Sequence, residues 1–390
     1  MTPAARVQAA IEILDRWRNG TQAMDRVLTS WARQNRYAGS GDRRAIGDLV
    51  HSALRRLRSA AWMAGRDQDA SGRCVMHGLM LQQGTEPGDV FTGERHAPAA
   101  LSPDEISGRR DLRNANRAVR LDFPDWLATE LDSVPDGDLE ILRNRAPVDL
   151  RVNLLKTGLD GAVRALEADG IHTVSVELSA TALRVVEGRR KVRSSRAFAE
   201  GLVEIQDAAS QAIADMARIS GGETVLDLCA GAGGKTLALA AAMQGRGRLF
   251  AHDIDAGRMV DLPKRAKRAG ARIRTAPSGN LPGDCDLVVV DAPCSGSGTW
   301  RRNPDSKWRL DKDELLRLCK VQSEILNQAA NLVRPGGKLL YATCSIFECE
   351  NDQQVTGFLE AHSGWQLIQT RHFRPSDGGD GFFGAVFASV

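Results

Sequence analysis

From Gly222 onward the chain alternates short apolar runs, rich in β-branched residues, with amphipathic stretches of helical length. Thr224–Asp227, Arg248–Ile254, Asp286–Asp291 and Lys338–Ala342 read as strands, each bounded by Gly, Pro or Ser. Lys235–Met243, Ala256–Ala269 and Asp311–Val333 read as helices between them. This alternation leaves few folds open. Parallel neighbours need a right-handed crossover, so the pattern predicts a doubly wound, mostly parallel α/β sheet. Ligands of such sheets bind outside the carboxyl ends of the strands. The residues that follow each strand therefore decide the chemistry.

The first strand runs into Cys229, Ala230, Gly231, Ala232, Gly233, Gly234 and Lys235, a glycine loop that opens a helix. Backbone N–H groups face a ligand at such a turn, and glycine permits close approach. A phosphate-binding P-loop needs glycine six residues before its lysine, where Cys229 stands; the dinucleotide fingerprint needs glycine where Thr236 stands. A nucleotide hydrolase is thereby disfavoured. Asp253 ends the second strand, the place where doubly wound folds bind a ribose hydroxyl. A ribose-containing cofactor held without a phosphate cradle fits S-adenosylmethionine. The competing account is an ordinary tight turn with a helix cap.

The two later strands each deliver a thiol: Cys294 in Asp291-Ala-Pro-Cys294, and Cys344 in Ala342-Thr-Cys344. Two thiols at the ligand edge are open to three readings: a nucleophilic site, a redox couple or a metal centre. With seven His in the chain and no His-rich ligand set near these motifs, no metal is expected. Cys74, Cys285, Cys319 and Cys349 are expected to be inert core thiols. Seven cysteines at irregular spacing do not form a disulfide framework. Met1–Arg6 lacks an apolar signal core, and no apolar run approaches the roughly 20 residues of a membrane span. A cytoplasmic protein without membrane partners is expected.

The rest of the chain divides by pattern. Val7, Ala10, Ile11, Leu14 and Trp17 share one helical face, as do Ile46, Leu49, Val50, Ala53, Leu54 and Leu57. Gly65 to Asp104 reads as loop-rich, and helical character resumes through Leu127, Leu131, Leu139 and Leu142. Residues 1–66 hold twelve Arg against five Asp or Glu, a local charge of +7 in a chain of net +3. Such a footprint suits nucleic acid, with a solvated helix surface as the plainer account. A short strand at Leu150–Asn153, a helix at Leu159–Ala168 and strands at Thr173–Val176 and Ala182–Val186 form a small α+β module. The expected domains are 1–145 (all-helical), 146–205 (α+β) and 206–390 (the doubly wound sheet).

The paired motifs around Cys294 and Cys344 resemble those of the RNA cytosine-C5 methyltransferases, the family of bacterial 16S rRNA enzymes and their nucleolar relatives. The glycine loop, Arg301–Trp308, Glu348–Asp352 and Gly379–Phe383 are similar to further blocks of that family, in the same order. The first segment resembles the NusB-type helical domain of some bacterial members. The resemblance covers nearly the whole chain. It implies a Rossmann-like methyltransferase sheet preceded by an RNA-binding α+β module and an all-α NusB-like RNA-binding domain.

The resemblance also implies roles. C5 of cytosine is a weak nucleophile until a thiolate adds at C6, so Cys344 is the implied nucleophile and Cys294 the implied helper of the later elimination. Asp291 is implied to protonate or hydrogen-bond N3 of the base. Residues 229–235, Asp253 and Asp291 are implied to hold S-adenosylmethionine, with Lys235 given to the cofactor. Arg301, Arg302 and Lys307 are implied RNA contacts. The implied partner is structured RNA, ribosomal RNA in preference to tRNA, and the implied state is a monomer. One departure stands out: the family's adenine-binding Asp is missing from Thr275–Asn280, where Ser278 and Asn280 are the polar substitutes.

Two other accounts are weighed against this one. DNA cytosine methyltransferases use a Pro-Cys loop but need a single cysteine, which leaves Cys344 unexplained. A non-catalytic assembly factor would keep the fold without needing either thiol.

Overall fold

The computed structural model describes residues 1–67 and 69–390, which fall into two units. One comprises Met1–Arg145 with Trp300–Leu310; the other comprises Ala146–Thr299 with Asp311–Val390.

The first unit is helical. Thr2 caps the helix Pro3–Arg18 through its side chain, with Pro3 at the first turn, where a missing N–H costs nothing. Val7, Ala10, Ile11, Leu14 and Trp17 are buried, as the spacing predicts, against Ile46, Val50, Ala53 and Leu54 of the helix Ser40–Arg55. The stretch expected to be loop-rich contains an eleven-residue helix, Gly72–Gln82, capped by Ser71 and burying Val75, Met76, Leu79 and Met80. Gly78 explains why the pattern hid it. A Cβ there would lie 1.7 Å from the Ala60 carbonyl oxygen, so glycine stands where an apolar side chain would have marked the face.

Trp300–Leu310 packs within the helical unit. Trp308 Nε1 donates to the Leu54 carbonyl at 2.7 Å, and Arg55 Nε donates to the Arg301 carbonyl at 2.7 Å. Arg301 is buried, and Lys307 is 2% exposed, with its ammonium over the rings of Trp300 and Trp308. Burial pulls the Lys307 pKa down to about 8. Arg302 is half-buried. Arg301 and Lys307, implied RNA contacts by resemblance, are both buried in the fold, Lys307 against two tryptophans.

The second unit holds two sheets. The smaller joins β1 (Asp149–Val152), β2 (His172–Ser175), β3 (Ala182–Glu187) and β4 (Val203–Ile205) in the order β2-β3-β1-β4, all antiparallel, with the helix Leu159–Ala168 against it. The larger comprises β5 (Thr224–Asp227), β6 (Arg248–Ala251), β7 (Arg274–Thr275), β8 (Cys285–Asp291), β9 (Val333–Thr343), β10 (Trp365–Phe373) and β11 (Phe382–Ser389). Its order is β10-β11-β9-β8-β5-β6-β7, parallel from β9 to β7, with β10 and β11 antiparallel at one edge. This is the expected doubly wound sheet.

Three boundaries differ. The second strand ends at Ala251 rather than Ile254. The helix expected over 256–269 is split into a 3-10 turn, Ala256–Met259, and a helix, Leu262–Ala269, because Pro263 cannot continue a helix from the preceding turn. The long helix is Lys312–Ala330, capped by Asp311, and β9 begins at Val333. No described helix is long and apolar enough to cross a membrane.

Candidate active site

The chain winds from β5 to β6 and β7 on one side, then returns to β8 and β9 on the other. The order therefore reverses between β5 and β8, and a crevice opens at the carboxyl ends of strands at such a switch point. The glycine loop follows β5, and the Pro-Cys loop follows β8. Both sequence motifs converge on this crevice.

The glycine loop is tied to the second strand. Gly231 and Gly233 have φ of +51° and +82°, a region that side chains avoid, and a Cβ on Gly233 would meet Leu262 Cδ1 at 2.2 Å. Gly231 N donates to Asp253 Oδ2 at 2.9 Å, the Asp255 amide donates to Asp253 Oδ1 at 3.0 Å, and Arg258 lies 3.1 Å from Oδ2. Each carboxylate oxygen carries two lone pairs, so Oδ1 keeps a free acceptor site for a hydroxyl. Cys229 is half-buried, and burial pushes its thiol far above the usual range, which makes it an unreactive lining group. Ser278 and Asn280 lie exposed in the turn that follows β7. The narrow glycine loop and the carboxylate beyond it fit a ribose-containing cofactor.

Below the loop, Asp227 is fully buried. Thr236 Oγ1 donates to its Oδ2 at 2.6 Å, while Oδ1 has no hydrogen-bond partner. Burial raises its pKa to about 7, and the carboxylate of Asp291 adds to the effect. The raised value means that the fold binds this proton more tightly than the unfolded chain does. Stability from Asp227 is thus full below the ordinary value near 3.8 and is lost as pH rises towards about 7. In thermal melts, Asp227→Asn is expected to flatten this decline between pH 4 and 7, where one proton is worth at most about 1.4 kcal/mol per pH unit. Equal slopes in both proteins would contradict the assignment.

Lys235 and Asp291 meet across the switch point, Nζ to Oδ2 at 2.8 Å. Burial alone would pull the ammonium down, but the Asp291 carboxylate outweighs it and holds Lys235 above its usual range. Nζ also lies 5.1 Å from the centre of the Phe382 ring. Lys235, expected at the cofactor, thus spends its charge on Asp291.

Cys294 Sγ and Cys344 Sγ are 3.4 Å apart. The hydrogen bond to Cys344, followed by burial, pushes the Cys294 thiol well above its ordinary range. Either sulfur can donate in this contact, so the two thiols share one hydrogen bond. The two loops that carry them are laced together: Gly298 N donates to the Cys344 carbonyl at 3.0 Å, Ile346 N donates to Ser297 Oγ at 2.9 Å, and Ser297 and Ser345 share a 2.9 Å hydroxyl contact.

Glu350, fully buried, accepts from the Ser295 amide at 2.8 Å, from the Ser295 hydroxyl and from Gln322 Nε2 at 2.9 Å; Gln322 also donates to the Pro293 carbonyl at 2.9 Å. Reading the sequence left Glu350 and Gln322 without roles. The only sign of the first was its place in the Glu348–Asp352 block, and nothing marked the second. Glu350→Gln puts an amide N–H against groups that are already donors. It is expected to cost about 1–3 kcal/mol of stability and, by displacing Cys294, to slow turnover about tenfold. Thermal melts and single-turnover rates would show this; wild-type values for both would remove Glu350 from the account.

Among the described residues, no cluster of three or more His, Cys, Asp or Glu is arranged to hold a metal ion.

Comparison with known proteins places these motifs in a recognisable setting. Residues 216–384 match the sequence profile of the family described as 16S rRNA methyltransferase RsmB/F. Ribosomal RNA small subunit methyltransferase B of Erwinia tasmaniensis is 35% identical over 406 aligned residues, covering 93% of both chains. The protein of the same name from Photorhabdus laumondii is 33% identical over 280 residues, 67% of this chain but 65% of its own length. The solved structure of PH0851 superposes over 99% of both chains with a TM-score of 0.75 at 24% identity, a likeness of fold.

Proposed function

The chain belongs to the RsmB/F family of 16S rRNA methyltransferases, and on that premise we propose that it transfers a methyl group from S-adenosylmethionine to C5 of a cytosine in ribosomal RNA. The observation that carries the cytosine-C5 reading is the 3.4 Å pair of thiols beside the Lys235–Asp291 pair. When bound, S-adenosylmethionine supplies the electrophilic methyl carbon. The glycine loop 229–235 and Asp253 would hold it, with the Asp253 carboxylate towards the ribose.

Everything else is done by the chain's own groups. The Cys344 thiolate adds to C6 of the base, which makes C5 enamine-like and able to take up the methyl group. Asp291 and Lys235 form an acceptor and a donor 2.8 Å apart, which suits the amino and N3 edge of cytosine. Protonating or hydrogen-bonding N3 through this pair raises the electrophilicity of C6. After methylation the C5 proton passes to water in the crevice, its bonding pair forms the C5=C6 double bond, and the C6–S bond breaks, returning its electron pair to Cys344. The Cys294 thiol, donating to that sulfur, stabilises the departing thiolate. The target base has to leave its stack to reach the crevice. Residues 1–145 and 146–205 are proposed to bind RNA around it, and residues 206–390 to carry the reaction.

The test is incubation of the purified protein with small-subunit rRNA transcripts and labelled S-adenosylmethionine, followed by nucleoside analysis. 5-Methylcytidine is expected; label in any other nucleoside would refute the proposed chemistry. Bisulfite sequencing of RNA from a strain lacking the protein identifies the substrate: loss of a tRNA site with ribosomal sites unchanged would reassign it.

A further inference from the structure

The four-stranded sheet reaches the glycine loop through a buried cation. Arg151 on β1 is 4% exposed, and its Nη1 donates to the Gly234 carbonyl at 2.7 Å and to Gln206 Oε1. Gln206 is itself fixed: its amide donates to the Asp149 carbonyl at 3.1 Å, its Nε2 donates to Ser210 Oγ at 3.2 Å, and its carbonyl accepts from Gln211 Nε2 at 3.0 Å. Burial pulls the Arg151 guanidinium down to about 10, so it stays a cation at neutral pH. Taking a cation out of water is costly unless its donors find acceptors. One of the two acceptors found here belongs to the loop that follows β5.

A second arm runs from β4. Glu204, 2% exposed, accepts from Arg265 at 3.1 Å on Oε2 and from Arg268 on Oε1. Arg265 Nη1 donates in turn to the Ala232 carbonyl. The guanidinium of Arg268 lies 4.1 Å from the centre of the Phe198 ring, which ties the helix Leu262–Ala269 to the small sheet. Two carbonyls of the glycine loop are thus each held by an arginine anchored on that sheet.

The loop needs such anchors. Its glycines impose little conformation of their own, so the backbone has to be fixed from outside. In a planar trans peptide the carbonyl and the next N–H point in opposite directions. Holding the Ala232 carbonyl therefore directs the Gly233 amide, which donates to the Ala230 carbonyl at 2.8 Å and closes the turn. Holding the Gly234 carbonyl directs the amide of Lys235, in the first turn of the helix Gly234–Ala242, where an N–H has no partner within the helix.

We infer that Arg151 and Arg265 are positioning residues for the cofactor, which hold the glycine loop in the shape that S-adenosylmethionine meets. The small sheet then serves the cofactor site in addition to the RNA role proposed for it. The inference rests on the proposed binding of S-adenosylmethionine by residues 229–235 and extends it to β1, β4 and the helix Leu262–Ala269.

The test compares Arg151→Gln and Arg265→Gln with wild type. Calorimetry gives the affinity for S-adenosylhomocysteine, and amide hydrogen exchange of a peptide spanning 229–236 reports the loop in the ligand-free protein. Each variant is expected to bind S-adenosylhomocysteine about tenfold more weakly, the scale of one lost hydrogen bond from a charged donor. Exchange in the loop should rise above wild type. The KM for S-adenosylmethionine should rise by the same factor, while kcat at saturating cofactor stays within about twofold. The Arg265 side chain is 22% exposed, so its variant keeps the test open should the buried Arg151→Gln protein fail to fold. Leu166→Ala is the control: it removes a fully buried side chain from the core of the same sheet and should lower the melting temperature with cofactor affinity within about twofold of wild type.

Wild-type affinity and loop exchange in the arginine variants would overturn the inference. So would an equal loss of affinity in Leu166→Ala, since general loosening of the sheet would then account for the effect. A wild-type protein that does not bind S-adenosylhomocysteine would instead refute the parent reading, so the two failures are distinguishable.

Discussion

Replacing Cys344 with alanine is expected to abolish methyl transfer, with a loss of roughly 10⁴-fold or more, the scale seen when a covalent nucleophile is removed. No other described thiol can take its place. The contact with Cys344 and burial push the Cys294 thiol well above its ordinary range, and burial raises the Cys229 thiol out of reach. The fold should survive, because the side chain is half-buried and its loop is held by the Cys344 carbonyl rather than its sulfur. Single-turnover assays with labelled cofactor, alongside thermal melts, test this. Residual transfer within tenfold of wild type would contradict a covalent mechanism through Cys344.

Replacing Cys294 with alanine is expected to do something different: the reaction starts and does not finish. Without the thiol donor at 3.4 Å, the departing Cys344 thiolate loses a hydrogen bond to a charged acceptor, worth about 1.5–3 kcal/mol. That slows elimination about 10- to 100-fold. Addition is not blocked in the same way, since a more basic thiolate is the better nucleophile and the poorer leaving group. The protein should therefore accumulate as an adduct with methylated RNA, and multiple turnover should fall while the first methyl transfer persists.

The parts legible in the sequence were those written in local pattern. The β-branched runs ending at Asp227, Asp291 and Thr343 mark strands because burial on both faces selects such residues, and the turn residues after them mark the crevice edge. Cys294 and Cys344 were legible as a pair for the same reason: each follows its strand within a few residues, and neighbouring parallel strands carry them together. What depended on distant partners was hidden. Ser295 and Glu350 are 55 residues apart along the chain, and only the folded loops bring them into contact. Lys307 entered as an RNA contact by resemblance alone, and no local pattern announced that its ammonium packs over two tryptophans. The helix Gly72–Gln82 was obscured by Gly78, whose value lies in the close approach it permits. Strand β10, mostly exposed at the sheet edge, lacks the apolar alternation that announces a strand.

The central claim is the unequal division of work between the two thiols. Its most direct measurement is to incubate the Cys294→Ala and Cys344→Ala proteins in parallel with substrate RNA and S-adenosylmethionine, separate the products under denaturing conditions, and locate any cross-linked nucleotide by peptide mass. The account predicts an RNA adduct on the peptide carrying Cys344 in the Cys294→Ala protein and none in the Cys344→Ala protein. An adduct on the Cys294 peptide of the Cys344→Ala protein, or no adduct in either, would contradict it.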